Sequence, residues 1–306
     1  MYREFTPCAL LAPFIDKFWV FKGYAEIGTR FKILADGCTD FIFSIGNMTI
    51  PADEHQMIMQ PYRSFFVGPM RSYSNLTATT DSLHMLGVRF QPCGLAAFTN
   101  EPLGQFADLR IQSSDINLLF DNSFAEMLCE QPDDSVRIRI IEGYLIRLLT
   151  QSIQVDRQII YATSFIKQSY GQLPVQNLID KICICQRHFQ RKFKDATGYT
   201  PKEFSRIIKF QYAIEVLRNA PHTDLSSIAL DCGYYDHSHF IKEFLDHALH
   251  AEEVSISVHS KCKLHSFVLQ FCQWKCLWKI NISKLVQSDI FISAVVVCRK
   301  RSKHSI

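Results

Sequence analysis

Cysteine, histidine and acidic residues crowd the segment ALDCGYYDHSHFIKEF, residues 229–244. Cys232, His237 and His239 are residue types that bind zinc, but a helix with these polar side chains could equally lie on a nucleic acid. On a helix, His237 and His239 would point to different faces, because side chains share a face at spacings of three or four. Paired histidine ligands on a helix follow those spacings. The segment therefore favours nucleic-acid binding over a metal site.

Other cysteines and histidines add little to a metal hypothesis. The chain contains 11 cysteines and 11 histidines. Cys183 and Cys185 form a C-x-C without a second pair, and His55 and His84 stand 29 residues apart without a carboxylate at ligand spacing. Because a metal site needs three or four converging ligands, we expect neither a metal ion nor another cofactor. Thiols scattered in this way are expected to stay reduced.

Length and hydropathy predict a globular chain with two domains. The sequence has 306 residues, of which 47% are hydrophobic, enough to bury sizeable cores. No run reaches the roughly eighteen apolar residues of a membrane span, and Asp16 and Lys17 interrupt the first apolar segment. We therefore expect no membrane span, no signal peptide and a cytoplasmic location.

Charge is distributed unevenly along the chain. Residues 1–156 carry 12 basic and 18 acidic side chains, residues 157–244 carry 12 and 8, and residues 245–306 carry 9 and 4. A basic C-terminal half joined to an acidic N-terminal half is typical of a polyanion-binding module attached to a separate domain.

The N-terminal part is predicted to be rich in β-strands. Three β-prone runs are bounded by turn residues, at residues 40–46, 64–68 and 83–90. Their spacing indicates a barrel or sandwich. Four aromatic residues between Phe14 and Phe21 could line an apolar pocket, although core packing is the favoured interpretation.

From Ser135 the hydrophobic period becomes helical. One face of the predicted helix carries Ile141, Leu145, Leu148 and Leu149. This face could pack on its own domain or pair with a second copy of the chain. A polar linker is predicted at residues 151–156, followed by a helix from Arg157 to Tyr170.

An internal duplication follows. Copy one spans residues 178–193 and copy two spans residues 228–244, and apolar and aromatic residues recur between them at an offset of about fifty. Each copy is predicted to be a helix, a tight turn and a second helix. In copy two, Gly233 tolerates the turn conformation and Asp236 is placed to cap the next helix. This is the geometry of a helix-turn-helix.

A long helix is predicted between the two copies. Thr200-Pro-Lys-Glu203 combines an N-cap, a proline at the first helical position and a capping-box glutamate, and Asn219-Ala-Pro221 ends the helix. About eighteen residues span roughly 27 Å. We expect such a rod to hold two reading helices near the roughly 34 Å separation of successive major grooves.

Copy two closely resembles the second helix-turn-helix of AraC-type transcription regulators. The resemblance rests on Ile228-Ala229, Gly233-Tyr234, Asp236, Ser238, Phe240 and Phe244. Copy one resembles the first motif through Arg187, Phe189, Arg191, Phe193-Lys194, Gly198, Pro201, Phe204, Gln211 and Ala213. Residues 36–43 and 87–92 also look like the cupin-like sensor half of one branch of these regulators.

The resemblance implies an α+β chain: an N-terminal β-rich, cupin-like barrel, then an all-α domain with two helix-turn-helix motifs joined by a long helix, making a seven-helix reader. We expect a sensor or dimerisation domain at residues 1–150, the linker at 151–156, the DNA-binding domain at 157–250 and an atypical tail at 251–306. The tail departs from the family, and we hypothesise that a frameshift or rearrangement near Leu245 replaced the final helix. From Asp246 we predict no helix, and the lost packing would expose Ile241 and Phe244.

The DNA-contacting residues are expected on the second helix of each copy. The candidate base readers are Gln186, Arg187 and Gln190 in copy one and Tyr235, His237 and Ser238 in copy two. The candidate phosphate contacts are Arg191, Lys192 and Lys194 in copy one and His239 and Lys242 in copy two, and His188 lies on the same candidate surface. Base contacts specify sequence, whereas phosphate contacts position the protein.

We therefore predict a sequence-specific transcription regulator of double-stranded DNA and not an enzyme. The resemblance implies a small effector in the N-terminal barrel, a homodimer, and contact with RNA polymerase where the protein activates. Two rival hypotheses stay open. One is a metal-dependent cupin enzyme in residues 1–150. The other is an alkylation-repair regulator with a reactive Cys38 or Cys93, although no basic cluster lies near either thiol in sequence.

Overall fold

The computed structural model describes residues 2–45, 52–53, 59–116, 118–150, 156–182, 184–219 and 225–248. The strands are β1 (Tyr2–Phe5), β2 (Ile15–Tyr24), β3 (Arg30–Ile33), β4 (Thr39–Ser44), β5 (Ala52–Asp53), β6 (Ser64–Val67), β7 (Ser74–Thr77), β8 (Ser82–Phe90) and β9 (Arg110–Gln112). His55, Cys183, most of the predicted linker and the tail at 251–306 lie outside the described residues, and so does the frameshift hypothesis for that tail.

The strands form two antiparallel sheets. The larger sheet has the order β1-β2-β8-β4-β6-β9 and the smaller has the order β3-β7-β5. Phe21 of the large sheet contacts Phe31 of the small one, with ring centroids 6.3 Å apart. The prediction of a β-rich N-terminal half is confirmed, and the three runs expected to be strands correspond to β4, β6 and β8. The cupin-like nature of this half stays a prediction.

The large sheet is covered on both faces. All six residues of β4 are buried. Because successive strand residues point to opposite faces, Phe41 and Phe43 pack against N-terminal helices while Ile42 packs in a cluster that includes the C-terminal helices. The centre of the strand is accordingly apolar on both faces, since neither face meets water there.

Two helices cover the first face: α1 (Asn122–Cys129) and α2 (Asp134–Leu149). Ile141 and Leu145 of α2 are fully buried in the core of this half. Of the two roles considered for that face, packing on its own domain is therefore what the structure shows for these residues. Arg137 of α2 is buried as well, with its Nη1 2.8 Å from Asp134 Oδ1 and its Nε donating to the Leu128 carbonyl.

The helices after residue 156 are α3 (Arg157–Gln168), α4 (Val175–Ile182), α5 (Gln186–Thr197), α6 (Pro201–Asn219), α7 (Leu225–Asp231) and α8 (His237–Ala248). Six helices thus lie in the described residues where the resemblance implied seven. The helix predicted from Arg157 is confirmed, ending at Gln168 rather than Tyr170. No helix of the described segments is long and apolar enough to cross a membrane.

The local signals that bound these helices are confirmed. At the start of α6, the Thr200 amide donates to Glu203 Oε2 at 2.7 Å and the Glu203 amide donates to Thr200 Oγ1 at 3.2 Å, a complete capping box. Asp236 accepts from the His239 amide at 2.7 Å and so caps α8. Gly233 has a φ of 72°, which only glycine adopts without strain.

The end of α8 corrects one expectation. Asp246 lies within the helix, which continues to Ala248. Phe244 is only 9% exposed and its ring lies 5.2 Å from that of Phe210, while Ile241 is partly buried. The expectation that these two residues become exposed was wrong, because Phe244 finds packing partners within the described residues.

The N-terminal and C-terminal halves share a core. One buried cluster combines Trp19 and Phe65 of the large sheet with Phe189, Phe193 and Phe204 of the helices. The Phe204 ring lies so close to Gly37 that a Cβ on this glycine would come within 2.6 Å of it. The second face of the sheet is therefore covered by the helical half.

Candidate nucleic-acid interface

Copy one, α4 and α5, presents one polar and one apolar side. Phe189 and Phe193 of α5 are fully buried, and Phe193 packs on Phe204 of α6 with ring centroids 5.8 Å apart. The opposite side of α5 is exposed and carries Gln186, Arg187, Gln190, Arg191 and Lys194. Burial of the two phenylalanines fixes which side of the helix faces solvent, so five of the seven candidate residues of copy one lie on an open surface.

The other two candidates of copy one are partly buried and already contact other side chains of the protein. Lys192 is half-buried, and its Nζ lies 2.7 Å from Oδ2 of Asp156, the N-cap residue of α3. His188 is also half-buried, and its Nδ1 lies 3.3 Å from Arg191 Nη2. Lys194 is exposed, but its side chain lies beside Gly104 of a 3-10 turn at Leu103–Phe106.

Copy two, α7 and α8, is built in the same way. Phe240 is fully buried, and the ring of buried Tyr234 lies 5.1 Å from it. The candidate residues Tyr235, Ser238, His239 and Lys242 are exposed, and His237 is half-buried. Lys209 of α6 lies over the Tyr234 ring and donates to the Gly233 carbonyl at 3.2 Å, which anchors the turn before α8.

The two reading helices differ in charge. Helix α5 carries four basic residues and one acidic residue, a net charge of +3, whereas α8 carries one basic and two acidic residues, a net charge of −1 with its histidines neutral. Positive side chains supply most of the affinity for a nucleic-acid backbone. Electrostatic attraction is therefore concentrated on copy one.

Helix α6 contacts copy one in its first turn and copy two farther along its length. Copy one packs on Phe204 and copy two on Phe210, where Arg206 also donates to Glu243 of α8 at 2.5 Å. Six residues of helix correspond to about 9 Å along the axis and to faces about 120° apart. The expected end-to-end rod is thus a shared central helix, and the separation of the two reading faces stays a prediction.

A metal site has no support in the described residues, which hold no group of three or more His, Cys, Asp or Glu suited to a metal ion. Cys232 is buried, and burial raises its pKa to about 11. His239 is exposed instead, with Nε2 4.0 Å from Glu243 Oε1. The residue types that raised the metal hypothesis therefore do not converge.

The reactive-thiol hypothesis finds no support either. Burial raises the pKa of Cys38 well above its ordinary value and raises that of Cys93 as well. The Cys93 Sγ lies 3.6 Å from Thr163 Oγ1, in the contact between the two halves. A nucleophilic thiol requires a lowered pKa, which is the opposite direction.

The N-terminal half contains a buried charged cluster that the sequence patterns do not predict. Arg89 lies 2.7 Å from Asp36 and 3.0 Å from Asp40, and Trp19 donates to Asp40 at 2.8 Å. Gln211 of α6 donates to the Ala35 carbonyl beside this cluster. Asp36, Asp40 and Arg89 belong to the two segments on which the N-terminal resemblance rests, so the sequence did single out these segments. It did not predict that the three side chains meet beside α6.

Comparison with known proteins agrees with this architecture. Residues 178–250 match a helix-turn-helix domain family. The chain carries an AraC-type helix-turn-helix domain. The match begins in α4 and runs just beyond α8, so the AraC-type domain includes both copies and α6. Residues 3–112 match a domain of unknown function (DUF6597), which contains both β-sheets.

The chain is also similar to individual proteins. The lactose operon transcription activator of Staphylococcus xylosus is 31% identical over 100 residues, which are 31% of this chain and 36% of the activator. The match thus spans about a third of that relative. ToxT from Vibrio cholerae superposes with a TM-score of 0.45 at 9% identity, covering 78% of this chain and 97% of ToxT. A xylose-binding transcription activator, XylR, gives a TM-score of 0.27 at 18% identity over 36% of this chain and 35% of XylR.

Proposed function

We propose that the protein is a sequence-specific transcription regulator that reads double-stranded DNA with α5 and α8. The observation that carries the proposal is the two-sided construction of α5. Phe189 and Phe193 are buried, and the exposed side combines glutamines with arginines. Glutamine and arginine form bidentate hydrogen bonds with adenine and guanine in the major groove.

Roles within the proposed surface follow from position along each helix. Residues near the helix start enter the groove, so Gln186, Arg187 and Gln190 are assigned to bases, as are Tyr235, His237 and Ser238. Residues farther along the helices are assigned to phosphates, namely Arg191, Lys194, His239 and Lys242. Lys192 and His188 are assigned supporting roles, because the ion pair with Asp156 and the contact with Arg191 already engage them.

Selection of bound duplexes from a random library tests the function. The full-length chain is expected to enrich one sequence and to hold it against excess scrambled duplex of the same length. Affinity should fall steeply with added salt, because phosphate contacts release counterions. Equal retention of the scrambled duplex would refute sequence reading, since general attraction to DNA does not discriminate between sequences.

The N-terminal half is proposed to regulate DNA binding. A cleft of about 450 Å³ lies between the halves, where Lys17 and Arg89 of the sheet face Ile208 and Gln211 of α6. A small effector there would touch both halves and shift their arrangement. Thermal-shift screening followed by operator titration tests this idea, and a ligand that stabilises the protein without changing operator affinity would contradict it. Because the matched relative is an activator, we propose activation through RNA polymerase, and homodimer formation stays a prediction.

A further inference from the structure

The segment between β6 and β7 in the N-terminal half contacts both helix-turn-helix copies. We call residues 69–73 the connector. Its first residues meet the end of copy one: Tyr199 donates its hydroxyl to the Met70 carbonyl at 3.1 Å, and Pro69 lies against Gly198, the residue that ends α5. A Cβ on Gly198 would come within 2.1 Å of the Pro69 ring, so this ring packs directly on the backbone of Gly198.

The middle of the connector meets α6 and the N-terminal half. The Arg71 amide donates to Asp108 Oδ1 at 2.7 Å, which holds the connector to its own domain. The Arg71 Nε lies 3.7 Å from Oε1 of Glu203, the capping-box residue of α6. Arg71 therefore stands between the N-terminal half and the start of the helix that joins the two copies.

The last residues of the connector meet copy two. His247 of α8 donates from Nδ1 to the Arg71 carbonyl at 3.0 Å, and the Tyr73 amide donates to the His247 carbonyl at 3.2 Å. These two hydrogen bonds join the connector to the final turn of α8. Burial lowers the pKa of His247, which keeps the ring neutral and suited to this single donation.

Tyr73 also completes the apolar core of copy two. Its side chain is 2% exposed and shares a buried cluster with Phe210, Phe240 and Phe244, joined by Leu34 from the same half. By contrast, the sheet residues under copy one belong to a separate, larger cluster. Copy two therefore draws part of its packing from a single tyrosine on the connector.

We propose that the connector positions copy two relative to copy one, with Tyr73 and His247 as the positioning residues. Five residues span at most about 17 Å, so the two copies cannot move apart without breaking contacts at one end. The consequence for DNA reading rests on the proposed function. The positioning itself is a statement about the protein alone.

Hydrogen exchange of the full-length chain tests the positioning without DNA. Tyr73→Ala is expected to speed amide exchange in α7 and α8 by about tenfold, with exchange in α5 changed less than twofold. Tyr24→Ala, at a tyrosine of the same half that is 87% exposed, is the matched control and should change neither copy. Equal acceleration in α5 and α8, or none in either, would overturn the proposal.

A second pair of variants keeps the test decisive if Tyr73→Ala fails to fold. His247→Ala removes one hydrogen bond and should speed exchange in α8 by about threefold, with α5 unaffected. His247→Asn is expected to restore protection, because its amide nitrogen can replace Nδ1 as the donor. Loss of protection in both variants to the same extent would contradict the proposed contact.

Footprinting on the selected duplex supplies the DNA readout. Tyr73→Ala should keep the protection given by copy one and lose that given by copy two, whereas Arg187→Ala should weaken the protection given by copy one. An unchanged two-part footprint in Tyr73→Ala would overturn the connector's role in DNA reading. If the wild-type chain gives no sequence-specific footprint, the proposed function fails, and the exchange experiment still decides whether the connector positions copy two.

Discussion

The two helix-turn-helix copies share an apolar skeleton and differ in nearly everything else. Phe189 and Phe240 occupy corresponding positions and are both fully buried. Their surfaces diverge, since α5 carries a net charge of +3 and α8 a net charge of −1. Their packing diverges as well: copy one lies in the cluster shared with the large sheet, while copy two lies in a smaller cluster completed by Tyr73.

This difference indicates a division of labour. Under the proposed function, copy one would supply most of the attraction to the phosphate backbone, and copy two would contribute contacts that depend on how the connector holds it. We therefore expect copy one to be the stronger determinant of affinity and copy two to be the part that the N-terminal half controls. Four experiments sharpen or break the comparison.

The largest expected effect comes from the corresponding phenylalanines. Phe189→Ala and Phe240→Ala should each lower the free energy of unfolding by about 3–5 kcal/mol, because each leaves a large cavity. Phe189→Ala should also loosen the packing of α5 on the large sheet, which faster amide exchange in α5 would report. Phe240→Ala should leave the packing of α5 unchanged. Denaturant unfolding with hydrogen exchange measures both. Leu230→Ala, at a residue 64% exposed, is the control and should change stability by less than about 0.5 kcal/mol.

The next effect concerns base reading. Arg187→Ala should weaken operator binding by about 1–3 kcal/mol and relax preference at one base pair, as expected for a bidentate guanine contact. His237→Ala should cost less, because a single imidazole makes one hydrogen bond. Titration against operators altered at each position checks both variants. An unchanged sequence preference in Arg187→Ala would remove that residue from base reading.

The next difference between the two copies is a pH effect expected in copy two. The pKa of His247 is lowered by burial and by Arg206, against the opposing influence of the Arg71 carbonyl, Glu243 and Asp246. A histidine with a lowered folded pKa contributes its full stability above its ordinary pKa of 6.5, and this stability is lost as pH falls below that value. Amide hydrogen exchange in α8, corrected for the intrinsic rates, should therefore become faster as the pH is lowered from about 7.5 to about 5.5.

His247→Asn is the control for this effect. The variant should remove the pH dependence in α8 and leave that of His84, whose pKa burial also lowers, in the N-terminal half. Persistence of the α8 response in His247→Asn would assign it to another group.

The smallest effect concerns salt dependence. Arg191→Gln and Lys242→Gln should each reduce the slope of log affinity against log salt by about one, with little change in sequence preference. If copy one dominates the attraction to the phosphate backbone, the double variant Arg191→Gln/Lys194→Gln in copy one should reduce the slope more than Lys242→Gln in copy two. A loss of slope from Lys242→Gln in copy two as large as the loss from the double variant in copy one would contradict the electrostatic part of the comparison.

Local features of the fold were predictable from the sequence. Three such features are the capping box at Thr200 and Glu203, the Asp236 cap and the Gly233 turn. Each is formed by residues no more than a few positions apart, so a short stretch of sequence is enough to predict it. The exposed side of α5 was predictable for the same reason, because the spacing of Phe189 and Phe193 defines its apolar side.

Features that depend on distant residues were not predictable. Lys192 was expected among the phosphate contacts, but its partner Asp156 lies 36 positions earlier. Arg137 lies off the apolar face of α2, yet it is buried against Asp134, whose carboxylate also contacts His84, 50 positions away. The periodicity of a helix does not predict whether another element supplies a carboxylate or a carbonyl to the polar side of that helix.

By itself the sequence determined two helix-turn-helix copies, their joining helix and most of the residues that each copy turns outward, because these depend on hydrogen bonds and apolar spacing within a few turns. Only the tertiary structure decided how the copies are held. Tyr199 meets Met70 across 129 positions and His247 meets Arg71 across 176. Contacts of that range are set by how the sheet and helices pack, and packing is a property of the whole folded chain.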